Sequence, residues 1–290
     1  MSTYWIIAHI GNEGQETTTR FAISSNCMQD GDDIANVGYF RTHFENQITV
    51  ELSATRHAGL HHYTFPAAEK HVLIDFSHYL PHPTRSWDTQ FYAGGEVEIH
   101  SDNKTYSGYT SIGGGWNMGA PVTVYVCGEF DSQADTAVAF QGKNTFPVSR
   151  HYRSFNNETT PQPSFVGSSA RAGPLNNRVG AIFSWEGSSE TKELKSRIGV
   201  SFVSVSKACA YKNEELSWDI EKTAEAAKSE WNRDVFSKIR VDTSPAANQT
   251  RLALLYSSLY FMHLIPSERI GENPLWESDE PYWDDFYTMW

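Results

Sequence analysis

The sequence has little cysteine, no clustered positive charge and no long apolar run. Its 290 residues include 3 cysteines, and 20% of the residues are charged. A chain of this length can bury enough surface to fold without disulfides or structural metals. Aromatic residues make up 13% of the sequence, and aromatic and β-branched residues favour sheets. The composition therefore favours an ordered, β-rich protein with one large domain or two smaller ones.

The cysteines are too widely spaced for a compact metal site. Cys27, Cys127 and Cys209 lie far apart in the sequence, whereas the ligands of a zinc knuckle are closely spaced. Their odd number allows at most one intramolecular disulfide and leaves one thiol over. The sequence alone leaves the disulfide state of all three open.

The shortage of positive charge argues against polyanionic partners. The formal net charge is -12, and nucleic-acid binding requires clustered lysine and arginine to displace counterions. An anionic membrane surface is disfavoured for the same reason. A neutral ligand such as a sugar is compatible with this charge.

No apolar stretch is long enough to cross a membrane. The most apolar segment, residues 252–265, is interrupted by serine and histidine and is shorter than the roughly 20 residues that a span requires. We expect it to form a buried helix. Residues 1–9 lack the basic start and the apolar length of a signal peptide, which leaves a cytosolic location open. Sequons at Asn103, Asn157 and Asn248 leave secretion open as well.

Alternation of apolar and polar residues predicts strands over the first two-thirds of the chain. In residues 48–55 apolar side chains alternate with polar ones, as in a sheet with one buried and one solvent-exposed face. Short runs of the same kind occur at residues 60–65, 72–76, 97–99, 122–127, 179–185 and 198–205. No alternation of strands with helices is visible, so the sequence predicts a large antiparallel β-sandwich.

Helical periodicity replaces this alternation after residue 210. A helix is predicted from Trp218 onward, because apolar residues recur at steps of three and four. A second is predicted from about Asn248 to Pro266. Its apolar stripe comprises Leu252, Leu255, Leu259 and Met262, and we expect the sandwich to cover this stripe.

The spacing of the histidines and glycines argues against a metal site and a phosphate-binding loop. The histidines are His57, His61, His62, His71, His78 and His82. Neighbouring residues of a strand point to opposite faces, so we expect scattered structural histidines and assign no metal ligand. The glycine-rich residues 113–119 lack a phosphate-binding pattern. They predict a turn carrying Trp116, with sugar stacking on Trp116 as the functional alternative.

The last residues combine carboxylates with aromatic rings. Residues 276–290 contain five acidic side chains among tryptophan and tyrosine, which is typical of a glycoside-binding cleft and equally of a solvated acidic loop. Hydrolysis of a glycoside requires a protonated acid and a base. No nucleophilic motif is present, and no catalytic residue is assigned in this chain.

Several segments resemble glycoside hydrolase family 92 α-mannosidases in the same order. They are residues 55–66, 114–119, 196–210, 231–232, 251–260 and 284–290. The resemblance implies an N-terminal β-supersandwich joined by helices to an (α/α)6 barrel. It also implies a calcium-dependent, inverting exo-α-mannosidase acting on mannose-containing N-glycans, with the site between the two domains. It favours a secreted enzyme.

The resemblance also sets the expected domains and site residues. Residues 1–212 would form the sandwich, 213–246 a linker helix, and 247–290 the first helix of an incomplete barrel. Substrate contacts would come from Asp284, Tyr287, Trp290 and Trp116. The catalytic acid, the base and the calcium ligands would belong to the missing C-terminal barrel, so the chain alone is expected to be inactive. The alternative is a stand-alone carbohydrate-binding or interaction module.

Overall fold

In a computed structural model of the chain, the described residues form two large antiparallel sheets, one two-stranded sheet, three α-helices and a short 3-10 helix, Phe236–Lys238. The structure describes residues 8–11, 31–45, 47–66, 69–76, 90–114, 117–141, 144–149, 151–155, 179–186, 192–264, 267–281 and 283–284. The strands are β1 (Ala8–Gly11), β2 (Ile34–Asn36), β3 (Tyr39–His43), β4 (Thr49–Ala54), β5 (Ala58–Thr64), β6 (Glu69–Asp75), β7 (Gln90–Ile99), β8 (Thr105–Gly114), β9 (Asn117–Phe130), β10 (Thr136–Gln141), β11 (Asn144–Ser149), β12 (His151–Phe155), β13 (Val179–Glu186), β14 (Glu193–Ser201), β15 (Ser267–Glu268) and β16 (Trp283–Asp284). The helices are α1 (Val205–Glu215), α2 (Ile220–Asp234) and α3 (Gln249–Met262).

The predicted antiparallel sandwich is confirmed. Nine strands form the larger sheet in the order β12-β7-β8-β9-β14-β5-β4-β3-β2, and five form the smaller one in the order β1-β6-β13-β10-β11. The order β14-β5-β4-β3 places the last strand of the sandwich beside a meander from its start. The exit from β14 therefore lies in the middle of the larger sheet.

An aromatic cluster fills the space between the sheets. Tyr106 and Phe130 of the larger sheet contact Phe183 of the smaller one, with ring centroids 5.5 and 4.9 Å away. The ring of Trp185 meets Phe130 edge-on at 5.0 Å. A Cβ atom at Gly128 would lie 2.0 Å from the Tyr106 ring, so only glycine leaves room for this ring.

The predicted strand at residues 198–205 is wrong beyond Ser201. Strand β14 ends there, and helix α1 begins at Val205. Ser204 caps the helix, because its hydroxyl accepts a hydrogen bond from the backbone N–H of Lys207 at 3.2 Å. A capping serine satisfies an amide that the first turn of a helix leaves unpaired.

The helix predicted from Trp218 onward is present as α2 and packs on the outer face of the larger sheet. Asp219 caps it by accepting from the N–H of Lys222 at 2.9 Å. Ala227 faces Gly38, where an added Cβ would come within 2.7 Å of the alanine side chain. Gly38 also has a φ of 80°, a conformation that favours glycine.

The predictions that α3 is buried and that the sandwich covers its stripe are wrong. Of the predicted stripe, Leu259 is buried, but Met262 is 71% exposed. The helix packs on α2 instead, with the rings of Tyr260 and Trp231 4.9 Å apart. In the described part of the chain, no helix is long and apolar enough to cross a membrane.

Candidate functional site

The candidate site is the joint, which we define as the contact of α1 and residues 267–281 with the end of β14. Helix α1 lies directly on the sheet at Gly199, where a Cβ would stand 2.0 Å from the carbonyl oxygen of Ala208. Gly199 pairs with Cys127 of β9. Cys127 forms a disulfide with Cys209 of α1, across a Cα–Cα distance of 5.0 Å. The question left open by the sequence is thereby answered for these two cysteines, while Cys27 lies outside the described residues.

A cluster of cations around Glu129 holds the same helix. Its carboxylate accepts from Lys212 at 3.0 Å and from Arg197 at 2.7 Å, and it pairs with Lys104 at 3.0 Å. Burial would raise the pKa of Glu129, but the hydrogen bonds from the three cations outweigh it and lower the pKa to about 2. The guanidinium of Arg197 also stacks on Trp218 at 4.3 Å. Glu129 is thus an ionised anchor for α1.

Glu272 is the centre of the joint and is only 2% exposed. Its carboxylate accepts from the hydroxyl of Ser201 at 2.8 Å, the N–H of Phe202 at 2.6 Å and the hydroxyl of Tyr211 at 2.7 Å. Lys207 forms an ion pair with it at 3.3 Å. Burial, and then the hydrogen bond to Glu272, raise the pKa of Tyr211. With these partners the carboxylate holds β14, α1 and residues 267–281 together and is not placed to act as a catalytic acid or base.

Two further contacts fix the backbone on either side of Glu272. Lys207 donates to the carbonyl oxygen of Gly271, and Gly271 has a φ of 72°, which favours glycine. The guanidinium of Arg269, 4% exposed, lies 3.8 Å above the ring of Phe202. Residues 269–272 are therefore bound to α1 and to the end of β14 through both ionic and ring contacts.

A histidine–carboxylate pair holds the far end of α1. His57 Nδ1 lies 2.7 Å from Glu215 Oε1, and Thr55 donates to Oε2 of the same carboxylate at 2.6 Å. Burial would raise the pKa of Glu215, but the hydrogen bonds from His57 and Thr55 lower it overall. The imidazole also stacks on the ring of Tyr211 at 4.0 Å, which links this pair to the Glu272 contacts.

Strand β16, which carries Asp284, is held near the turn between β4 and β5. Asp284 pairs with Ser267 in the two-stranded sheet β15–β16. The neighbouring Glu268 lies 3.6 Å from Arg56, which also binds Glu230 of α2 at 2.6 Å. The backbone of Asp284 is therefore tied to the sandwich through β15.

The structure tests the predicted substrate residues only in part. The backbone of Asp284 is described, whereas Trp116, Tyr287 and Trp290 lie outside the described residues. Strands β8 and β9 pair up to Gly114 and Asn117, on either side of Trp116. The convergence of these four side chains stays a prediction.

No metal centre can be assigned to the described residues. Among them, no three histidine, cysteine or acidic side chains are grouped to hold an ion. The histidines have separate partners: His57 binds Glu215, His62 lies 2.9 Å from Glu51, and His71 lies 2.7 Å from Ser184. His78 and His82 lie outside the described residues. We therefore assign no step to calcium in this part of the chain.

Sequence reasoning missed Glu272 and Glu215, although both are central to the joint. Glu272 binds partners 61 to 71 residues earlier in the chain, and Glu215 binds His57 and Thr55, 158 and 160 residues earlier. No spacing rule connects such positions. The one local signal is Gly271, whose position before Glu272 suits a tight turn.

The architecture has two parts: a large antiparallel sandwich, whose last strand ends at Ser201, and the docked helices, which begin at Val205. The comparisons with known proteins divide the chain at the same place. The glycosyl hydrolase family 92 N-terminal domain matches residues 6–201, and the glycosyl hydrolase family 92 catalytic domain matches residues 207–290. The chain belongs to glycosyl hydrolase family 92. The disulfide and the contacts of Glu272 therefore join the two matched parts.

Individual relatives agree with this assignment. A protein of Arthroderma benhamiae described as an uncharacterized secreted glycosidase is 24% identical over 268 residues, which are 88% of this chain and 31% of that protein. A family GH92 α-mannosidase of Bacteroides thetaiotaomicron has the same fold, with a TM-score of 0.66 and 17% identity over 90% of this chain and 32% of its own. An inverting mannosidase of the same family and organism gives a TM-score of 0.65 and 16% identity over 87% of this chain and 30% of its own.

The chain thus spans about a third of the length of the relatives that it matches. The predicted domain bounds, 1–212, 213–246 and 247–290, stay a prediction.

Proposed function

We propose that this chain forms the sandwich and the first part of the catalytic domain of a calcium-dependent, inverting exo-α-mannosidase that acts on the α-mannosides of N-glycans. The observation that carries the proposal is buried Glu272, whose contacts bind the start of the matched catalytic part to the end of the sandwich. A rigid platform of this kind suits a site that two domains build together.

In this proposal residues 283–290 form the sandwich-side rim of a mannose site. The carboxylate of Asp284 would accept hydrogen bonds from sugar hydroxyls, and the rings of Tyr287, Trp290 and Trp116 would stack on the sugar. The support is the anchoring of Asp284 through β15 and Arg56. Such anchoring lowers the cost of ordering the rim when substrate binds.

The chain alone would not turn over substrate, because the acid, the base and the calcium ligands would belong to the rest of a catalytic barrel. The exposure of α3 supports this view. Leu254, Phe261 and Met262 are 68%, 67% and 71% exposed, and apolar surface of this kind is usually covered by further protein. The remaining helices of a barrel would cover it.

We also propose that the protein is secreted. The disulfide between Cys127 and Cys209 is typical of proteins that fold in an oxidising compartment. The curated relative is described as a secreted glycosidase.

A chimera tests the activity. Residues 1–290 are joined to the remainder of the catalytic domain of the Bacteroides inverting mannosidase, which itself serves as the positive control. With calcium, the chimera is expected to release 4-nitrophenol from the α-mannoside and not from the matched α-glucoside. Selectivity for the glucoside, or no hydrolysis by a chimera that unfolds cooperatively, would contradict the proposal.

The stand-alone binding module is distinguished by the chain itself. A module would be monodisperse and would bind methyl α-mannoside without a barrel, as saturation-transfer NMR would detect. The mannosidase proposal expects self-association through α3 and no release of mannose from an aryl α-mannoside in the presence of calcium. Sustained release of mannose by the chain alone would overturn the assignment of the catalytic groups to the barrel.

A further inference from the structure

The sequon Asn248-Gln249-Thr250 lies at the exposed start of α3. Asn248 caps this helix, because its Oδ1 accepts a hydrogen bond from the backbone N–H of Arg251 at 3.0 Å. The cap uses the carbonyl oxygen of the side-chain amide only. Nδ2, the atom to which an N-linked glycan is attached, has no hydrogen bond to any of the described residues.

The surroundings of Asn248 leave room for a large substituent. Residues 240–246 are exposed along their whole length, and Gln249 and Thr250 of the same sequon are exposed as well. The side chain of Gln249 turns back to the carbonyl oxygens of Ser244 and Ala247, at 3.2 and 3.3 Å. Among the described residues, no packed side chain would have to move to admit a glycan on Nδ2.

A second observation, independent of the sequon, indicates folding in an oxidising compartment. The disulfide between Cys127 and Cys209 links two elements that are 82 residues apart in sequence. Disulfides of this kind form in oxidising compartments such as the endoplasmic reticulum, where sequons are also glycosylated. The sequon and the disulfide lie in different parts of the chain and depend on unrelated chemistry, yet both are consistent with passage through the endoplasmic reticulum.

We propose that Asn248 carries an N-linked oligosaccharide. The donor is a lipid-pyrophosphate-linked oligosaccharide, and the catalyst is a membrane-bound oligosaccharyltransferase. The amide nitrogen of Asn248 forms a bond to the anomeric carbon, the bond from that carbon to the pyrophosphate oxygen breaks, and the lipid pyrophosphate leaves with the electron pair. The amide nitrogen loses one proton to a base of the transferase. Oδ1 is unchanged, so the helix cap is kept.

The sequon at Asn103 has a less favourable setting. Asn103 is partly buried, and it adopts a φ of 49° in the turn between β7 and β8. Its backbone carbonyl oxygen accepts from the N–H of Ala134 at 3.0 Å. Asn157 lies outside the described residues. The structure therefore favours Asn248 over Asn103 as the glycosylated position.

The test is secretion of the chain from yeast behind a cleavable signal, followed by peptide mapping. Treatment with an N-glycan amidase in ¹⁸O-labelled water converts a glycosylated asparagine into labelled aspartate. The expected result is label at residue 248 in most molecules of the wild type. An unmodified Asn248 in the secreted protein would overturn the proposal.

Two variants distinguish loss of the glycan from loss of folding. Asn248→Asp keeps an oxygen that caps α3 but has no acceptor nitrogen, and Thr250→Ser retains the sequon. We expect label at residue 248 in Thr250→Ser, no amidase-sensitive mass at that position in Asn248→Asp, and the same helical circular dichroism in both. Amidase-sensitive mass that persists in full in Asn248→Asp would place the glycan elsewhere and refute the assignment.

Discussion

Replacing Cys209 with serine removes the covalent bond between α1 and the sheet, and it tests how much that bond stabilises the joint. The disulfide closes a loop across a separation of 82 residues. For a loop of this length, the chain-entropy relation gives about 4.5 kcal/mol of stabilisation at 25 °C. Native domains are stable by about 5–15 kcal/mol, so this one bond accounts for a large share of the total.

Urea unfolding followed by tryptophan fluorescence measures the effect. The Cys209→Ser variant is expected to have a lower midpoint and a slope no smaller than that of the wild type, because the unfolded chain expands when the cross-link is lost. A reductant should shift the wild type to the same midpoint. Cys27→Ser is the matched control, because Cys127 and Cys209 already pair with each other. It should leave the disulfide, and with it the response of the midpoint to reductant, unchanged. A loss below about 1 kcal/mol in Cys209→Ser, or no response of the wild type to reductant, would refute the entropy argument.

Three further substitutions test the remaining contacts of the joint. Glu272→Gln keeps the shape of the side chain but loses the charge that its donors bind, and it should lower the free energy of unfolding by about 2 kcal/mol in thermal melts. Glu277→Gln, in an exposed loop, is the control and should have no measurable effect in the same melts. The pKa of Glu129 is lowered to about 2 in the folded state. The ionised carboxylate therefore adds up to about 3 kcal/mol to the free energy of unfolding above pH 4.5, and this contribution is lost as the pH falls toward 2. Glu129→Gln should therefore flatten the acid limb of a stability–pH profile, and an unchanged limb would contradict this. Gly199→Ala should push α1 off the sheet, because the new Cβ would stand 2.0 Å from a backbone oxygen. The variant should therefore unfold at a lower urea concentration than the wild type, and an unchanged midpoint would refute the argument.

The sandwich and α2 could be predicted from sequence because local patterns determine them. The alternation in residues 48–55 corresponds to β4, and steps of three and four after Trp218 correspond to α2. In both cases neighbouring elements bury one face, so the period of the apolar residues predicts whether the element is a strand or a helix.

Helices α1 and α3 were harder to predict, because their positions depend on distant partners. The strand β14 appeared to continue beyond Ser201, since Val203 and Val205 extend its apolar run. The Ser204 cap and the close approach at Gly199 make the following residues helical instead. Apolar residues occur on most sides of α3, a pattern that is typical of a buried helix. In the structure, however, Tyr260 of α3 contacts Trp231 of α2, and Tyr256 contacts Phe236 just after α2.

The joint could not be predicted, because its carboxylates are recognised only by their partners. Glu272 is one of several acidic residues near the end of the chain, and Glu277 and Glu280 look alike in sequence. In the structure Glu272 is 2% exposed and bound on several sides, whereas the other two lie in an exposed loop. Burial of a carboxylate requires such partners, and they come from elements that sequence spacing does not bring together.

The most direct measurement of the central proposal is the configuration of the sugar that the chimera releases. Hydrolysis of methyl α-mannoside followed by proton NMR shows which anomer forms first. An inverting exo-α-mannosidase would give β-mannose first, with α-mannose appearing later through mutarotation, since a single displacement by water reverses the configuration. First release of α-mannose, or no release from a folded chimera, would contradict the account.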